Sequence, residues 1–419
     1  MIVIAVAIAL PLALYKPWPT NKGSSGLIPE EATTITPSDN SAQVNLFTPP
    51  LNQPFDYASG KVKIRGVNLG GWLVLEPFIT PSIFEPYVSS GVVDEWTLCA
   101  HLGREASKTL LEKHYASWVT EDTFVQIKNL GLNHVRIPIG HWAMGYLTED
   151  EPYVPDIAWK YLLRAIEWAR KYGIRVMIEL HAAPGSQNGW NHSGRLGQIN
   201  WINGTMGTRN AQRTILYLQY MANFFSNPSY IHVSPLMGLL NEPAAFAIGP
   251  ENVKRWYQQF LVFNSNLIAM NQSAQIKFVC EQWGADSIRS TRTFGPTMVG
   301  EFSVAVNDCA QYLNGIGTGS RWEGTFPDKK SGPTNKTCAN ENDASSYSVE
   351  YKTFLARFFN AQLDAFEQGV GWFYWNFKTE NNPLWSYFDG VEYGWIPKDV
   401  NDRGPSFCTL RNRPQAPKS

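Results

Sequence analysis

At about 150 residues per domain, a 419-residue chain suggests two to three domains, a count that large α/β barrels break. Its 35 Lys+Arg against 36 Asp+Glu leave a net charge of −1, which excludes a chain built to neutralise a run of phosphates, so nucleic acid is not an expected partner. Hydrophobic residues at 44% and charged residues at 17% exclude global disorder, and aromatic residues at 13% exceed what packing needs, as they do where flat rings line a sugar-binding cleft.

Residues 1–14, MIVIAVAIALPLAL, are an uncharged apolar run closed by Lys16 and Pro17. The run is shorter than the roughly 20 residues of a membrane span, so 1–15 reads as a secretory signal peptide or as a truncated signal-anchor, a single N-terminal membrane anchor. A buried N-terminal helix is the structural alternative. Residues 16–56, rich in Pro, Ser, Thr and Asn, read as a flexible linker, and 57–419 as the folded domain, which begins near Phe55. Either reading of 1–15 sends that domain out of the cytosol, to the extracellular space or cell wall. Cys99, Cys280, Cys309, Cys338 and Cys408 form no CxxC pair, so neither a zinc site nor a redox motif is expected. Four Asn-x-Ser/Thr sequons, at Asn191, Asn203, Asn271 and Asn335, fit a secretory route weakly, since such triplets arise often by chance.

Short β-branched runs then alternate with helical patterns, the signature of βα units and a parallel sheet. Strands are expected at 61–67, 133–138, 174–180, 234–240, 297–301 and 370–375. The helix at 156–172 has Asp156 as N-cap and Gly173 just past its end, and similar patterns lie near 120–130, 208–226, 250–270 and 349–368. A single (β/α)8 TIM barrel fits that order and length best. One interval is too short. Glu301 follows Glu242 by 59 positions, with only IKFVC (276–280) as a further strand candidate, so the count is six or seven strands and the barrel is incomplete.

A barrel gathers its chemistry at the C-terminal ends of its strands, and five of these strands end in or carry polar residues there. They are Arg136 in the second strand, His181 after the third, Asn241-Glu242-Pro243 after the fourth, Glu301 at the end of the fifth, and Trp375-Asn376 after the last. Two carboxylates from different strand ends in an aromatic-lined mouth are the minimum equipment for glycoside hydrolysis: one protonates the departing oxygen, the other meets the oxocarbenium ion. Each residue also has a structural reading. Glu242 could be an N-cap or loop charge, His181 a satisfied core histidine, Arg136 a partner of Glu179, and Trp190 and Trp375 core aromatics.

The segments RGVNLGGWLVLEPFITPS (65–82), NHVRIPIGHW (133–142), LHAAPGSQNGW (180–190), LLNEPA (239–244), VGEFSVAVNDCAQYLNGIGTGSRWEGT (299–325) and WFYWNFKTE (372–380) resemble the fungal exo-β-1,3-glucanases of glycoside hydrolase family 5. The resemblance runs in order over most of the folded part. It implies a retaining mechanism with Glu242 as acid/base and Glu301 as nucleophile, the carboxyls about 5–5.5 Å apart and Arg136 lowering the Glu301 pKa. It further implies that Asn241 bonds the sugar 2-hydroxyl, that Glu76, His181 and Trp375 line the terminal glucose subsite, and that Trp190 stacks on the next sugar. Disulfides Cys309–Cys338 and Cys280–Cys408 are implied by the same matches, leaving Cys99 unpaired; the first closes a loop whose chain entropy is worth about 3 kcal/mol. The implied partner is β-1,3-glucan, with no cofactor or metal and a monomeric state.

The family's sixth strand brings a His and a Tyr into the site, and no His-x-Tyr occurs between 243 and 296. About two strands are therefore expected to be missing between the acid/base and the nucleophile, near 262–277, and a sheet so interrupted exposes edges that need a replacement. The leading expectation is a hydrolase releasing glucose from non-reducing ends of β-1,3-glucan in wall remodelling. The alternatives are an inactive or alternatively spliced form that binds β-glucan without turnover, a transglycosylase, and a β-1,6-cleaving or endo-acting glucanase.

Overall fold

The computed structural model describes residues 2–3, 48–257, 262–263, 272–327, 335–403 and 406–408. Its centre is one parallel sheet of β1 (Ile64–Asn68), β2 (His134–Gly140), β3 (Arg175–Ala182), β4 (Leu236–Gly238), β5 (Met298–Phe302) and β6 (Gly371–Tyr374). The spatial order is β4-β3-β2-β1-β6-β5, all pairs parallel. Every residue of β2 and β3 is buried, as expected for strands covered on both faces.

Side chains alternate across a strand, and this parity divides the two faces. Val135, Ile137 and Ile139 of β2 and Val176, Ile178 and Leu180 of β3 belong to the large core shared with the helices. Met177 points the other way and joins Phe55, Ile64, Leu236, Met298 and Phe373 in a separate apolar cluster inside the curled sheet. Arg136, the register partner of Met177, and Glu179 and His181, two and four residues further along β3, share its parity and line the concave face.

The helices that cover the sheet start and stop on local signals. α1 (Glu95–Leu102) opens on a capping box in which Asp94 accepts from the Thr97 N–H, and α4 (Ile157–Tyr172) closes on Gly173 in the left-handed conformation. Asp156 does occupy the N-cap position of α4, but at φ 68° its side chain makes no capping bond. α2 (Arg104–Trp118), α3 (Glu121–Asn129), α5 (Gly207–Phe225) and α9 (Val349–Phe366) complete the well-formed cover. Three sequence expectations need correction. IKFVC is not a strand: α7 (Gln272–Phe278) runs into a five-residue π-helical turn, Val279–Trp283, and then α8 (Gly284–Phe294). A short apolar run fits a half-buried helix as well as a strand, and periodicity over five residues cannot separate them. The helix expected at 250–270 is helical as α6 (Pro250–Tyr257), then a two-residue strand, Val262–Phe263, stands inside the same range; 258–261 and 264–271 lie outside the described residues. Finally, residues 48–56 belong to the folded unit and not to the linker. The Arg175 guanidinium, at the start of β3, donates to the carbonyls of Pro49, Pro50 and Gln53 at 3.0–3.2 Å, and Phe55 is buried beneath the sheet.

Among the described residues the sheet does not close. Among the described residues β4 pairs only with β3 and β5 only with β6, so the expected gap lies between the strands that precede Glu242 and contain Glu301. A two-stranded antiparallel ribbon, Ile2–Val3 with Val262–Phe263, lies beside β5. The rest of 1–15 and the linker to residue 47 lie outside the described residues. No described helix is long and apolar enough to cross a membrane. Disulfides join Cys280 to Cys408 and Cys309 to Cys338, while Cys99 is free and buried. Of the sequons, Asn203 and Asn335 are exposed, Asn191 is buried, and Asn271 lies outside the described residues.

Two stability predictions arise here. The Cys280–Cys408 bridge spans 128 residues and the Cys309–Cys338 bridge 29. Chain entropy makes the longer closure worth about 5 kcal/mol against about 3.6 for the shorter, so C280S/C408S should lower the melting temperature further than C309S/C338S in calorimetry. Glu95 is fully buried, and its Oε2 holds the Leu75 N–H at 2.8 Å, next to Glu76. Burial pushes its carboxyl from 4.5 up to about 8. The folded state then keeps a proton that the unfolded chain releases, so stability falls as pH rises through that window. Glu95→Gln should flatten the fall, gaining on the wild type towards pH 8 in urea unfolding; parallel pH dependences for the two proteins would refute this.

Candidate active site

Arg136 is the hub of the concave face. It is 1% exposed, and its guanidinium donates to Glu179 Oε1 at 2.7 Å, Glu301 Oε1 at 2.5 Å, Asn68 Oδ1 at 2.7 Å and Asn241 Oδ1 at 3.1 Å. Four strands, β1, β2, β3 and β5, and the end of β4 thus meet on one cation. Asn68 is fixed in turn, its Nδ2 donating to the Gly300 and Tyr374 carbonyls at 3.1 and 3.0 Å.

His181 extends the network. Its Nδ1 lies 2.9 Å from Glu179 Oε2, its Nε2 3.4 Å from Asn241 Nδ2 and 4.0 Å from Glu76 Oε1. A proton on Nδ1 satisfies the first two contacts together, because an ionised Glu179 only accepts and an amide nitrogen only donates. Trp375 lies parallel to the imidazole, centroids 5.6 Å apart and planes within 5°. The indole reaches this place because Gly70 has no side chain: a Cβ there would stand 2.6 Å from the Trp375 ring. Asn376 locks the same contact, accepting from the Gly70 N–H at 2.9 Å and donating to its carbonyl at 3.0 Å. Glu76 is buried beside them with Oε1 lacking any hydrogen-bond partner.

Glu242 follows β4 with φ 42°, in the left-handed region where a residue with a Cβ is strained. Its Oε2 faces His192 Nε2 at 3.2 Å. Gln187, itself buried, ties the two strand ends by donating to the His181 and Asn241 carbonyls at 2.7 and 2.9 Å.

The carboxyls differ in environment. Burial pushes Glu76 up to about 7, against the pull of His181. Burial also opposes ionisation of Glu179, but Arg136 and His181 outweigh it and hold the group below its ordinary value. For Glu301 the sequence led us to expect a net lowering by Arg136. Arg136 does pull downward, yet burial, reinforced by the Glu242 charge, wins and the net shift is upward. Glu242 shifts the other way: burial pushes up, and the hydrogen bond and charge of His192 bring it below its ordinary value.

Of the residues singled out from sequence, Arg136, Glu301, Asn241, His181, Glu76 and Trp375 are brought into one contact network, and Glu242 is joined to it as the neighbour of Asn241. Trp190 stands apart, 43% exposed on the loop that carries His192. Sequence reasoning missed His192, Gln187 and Asn68 as working parts, and gave Asn376 no role beyond its place at a strand end. Asn68 had a signal, being the polar end of the first strand; His192 had only its place two residues after Trp190. Among the described residues no group of His, Cys, Asp and Glu side chains is arranged to hold a metal ion.

Comparison with known proteins adds ancestry to this geometry. The chain is 43% identical over 425 residues to a "Probable glucan 1,3-beta-glucosidase D" of Aspergillus clavatus, covering 88% of this chain and 50% of that protein. The protein of the same description in Aspergillus niger is 42% identical over 435 residues, covering 89% and 52%. The chain therefore spans about half the length of the curated relatives it matches. Among solved structures, a rutinosidase from Aspergillus niger superposes with TM-score 0.58 at 20% identity, over 82% of this chain and 100% of that one, a likeness of fold. Residues 102–292, from the end of α1 through β2, β3, β4 and most of α8, match the Cellulase (glycosyl hydrolase family 5) family model. Part of the chain thus matches the glycosyl hydrolase family 5 model, and most of it is similar to fungal proteins described as probable glucan 1,3-beta-glucosidases.

Proposed function

We propose that this protein is a retaining glycosidase that releases glucose from the non-reducing ends of β-1,3-glucan outside the cytosol, in the cell wall. The observation that carries the reading is Arg136, which binds Glu301 and Asn241, the residue preceding Glu242, so that one cation sets the positions of both strand-end carboxyls. Glu301 is the nucleophile, held by the guanidinium with one oxygen engaged, and Glu242 is the acid/base. In the first step Glu242 gives its proton to the departing glycosidic oxygen while a Glu301 oxygen bonds the anomeric carbon; in the second, water bonds that carbon, its proton goes to Glu242, and Glu301 leaves. Asn241 has one amide group free of the guanidinium to meet the sugar 2-hydroxyl, where hydrogen bonds tighten in the transition state. The unpartnered Glu76 Oε1 is suited to a glucose hydroxyl, and Trp375, stiffened by its stack on His181, to the sugar's apolar face. Trp190 at the exposed rim suits the next sugar. The two disulfides support export.

The gap between β4 and β5 favours a second reading, glucan binding without turnover, because the expected His-x-Tyr would stand there. Glucose release from a laminarin-type glucan separates the two: the glycosidase reading requires release at an enzymatic rate, and calorimetric binding without release would replace it with the second. Given turnover, Glu301→Gln should reduce kcat by about 10³-fold or more at an unchanged melting temperature. Glu242→Gln should lose about 10²–10⁴-fold on glucan and much less in the first step of an aryl glucoside whose leaving group needs no proton. Appreciable activity in E301Q, or equal losses on both substrates in E242Q, would remove the respective assignment.

A further inference from the structure

The acid/base reading leaves a question that the surroundings of Glu242 answer. A general acid has to hold a proton, yet the imidazole beside Glu242 favours its ionised form. The decisive neighbour is Asn188. Its Oδ1 accepts the Trp190 backbone N–H at 2.9 Å, and a backbone N–H can only donate, so the amide's Nδ2 is the atom 3.0 Å from His192 Nε2. His192 Nε2 therefore faces a donor on one side and, at 3.2 Å on the other, Glu242 Oε2. A proton on Nε2 satisfies an ionised Glu242 but opposes the Asn188 N–H. A bare Nε2 offers one lone pair, which the Asn188 N–H and the O–H of a protonated Glu242 share without opposing protons.

We propose that His192 and Glu242 share one proton across the Nε2–Oε2 contact, with Asn188 drawing it towards the carboxyl, so that His192 is the positioning residue that keeps a deliverable proton at the acid/base. The proposal rests on the acid/base assignment of Glu242. In the ion-pair form the proton sits on Nε2 and Glu242 is a carboxylate; in the neutral form it sits on Oε2. Cleavage draws it from Oε2 to the departing oxygen, the glycosidic electron pair going with that oxygen. The attacking water later returns a proton to Oε2, and no oxidant or reductant takes part. The other groups facing the imidazole are the carboxyls of Glu76 and Glu301, both of which favour its cationic form, and the His181 ring, 5.8 Å away between centroids. These charges oppose Asn188, which is why the proton is shared and not settled on one partner. Burial alone would lower the His192 pKa, but the hydrogen bond and charge of Glu242 reverse the shift upward.

Two measurements on the full chain test this. In the first, histidine-labelled protein is titrated by NMR, with the His192 signal identified by its loss in H192Q. Its midpoint should lie above the ordinary value of about 6.5 and fall by about one pH unit or more in E242Q; an unchanged midpoint in a folded E242Q protein would overturn the shared proton whether or not the chain is active. The second is the pH profile of glucose release. The pair loses its last proton at a higher pH than an isolated carboxyl would, so H192Q should move the alkaline limb of kcat/KM downward by about one unit or more. A uniform loss with an unmoved limb would make His192 a structural residue only. If E242Q hydrolyses glucan like the wild type, the acid/base assignment fails, and the NMR shift then decides the proton sharing on its own.

Discussion

A guanidinium with almost no access to water is tolerable in a protein interior only when acceptors surround it, and Arg136 meets that condition with two carboxylates and two amide oxygens. The requirement runs outward through the structure. Asn68 must turn its oxygen inward, so its nitrogen is free to bind the Gly300 and Tyr374 carbonyls and tie β1 to β5 and β6. Glu179, drawn to Arg136 by one oxygen, uses the other to orient His181, which becomes the plate under Trp375. The same ion that satisfies buried charge thus arranges the groups that meet a sugar.

That network also explains how a site can stand on a sheet whose described strands do not close into a barrel. β1, β2, β3, β5 and the end of β4 are tied through side chains across the concave face, with no hydrogen-bond ladder between β4 and β5 among the described residues. Beyond the network, Gln187 holds the end of β3 to the end of β4 through two carbonyls. The Cys280–Cys408 bridge fastens the helical segment after the gap to the C-terminal end of the described chain, beside α9. The two sides of the opening are secured separately to the continuous part of the fold.

The electrostatics of the two candidate carboxyls show why burial and pairing have to be weighed together. Glu301 touches a buried arginine and still shifts upward, because burial disfavours its charge and it faces Glu242 while sharing that cation with Glu179. Glu242, with no arginine, shifts downward because a histidine lies within hydrogen-bond reach. Spacing along the chain carries no information about either balance, since His192 comes from the loop after β3 and Glu242 from the end of β4.

Alternation and strand-terminal polarity are written locally, so the six parallel strands, the covering helices α3, α4, α5 and α9, the short interval after Glu242 and the polar strand ends Arg136, His181, Asn241, Glu242, Glu301 and Trp375 were legible from the order of residues alone. Local pattern is also where reading stopped. IKFVC is helical because its surroundings bury only one side of it, and residues 48–56 are docked because Arg175, buried at the foot of β3, needs their carbonyls. The direction of each carboxyl shift, the locking of Trp375 by Asn376 and Gly70, and the contact of His192 with Glu242 and Asn188 depend on distances between loops far apart in sequence. Only the folded chain sets those distances, because packing and charge satisfaction act on all neighbours at once, whereas the sequence determines which groups each strand end presents.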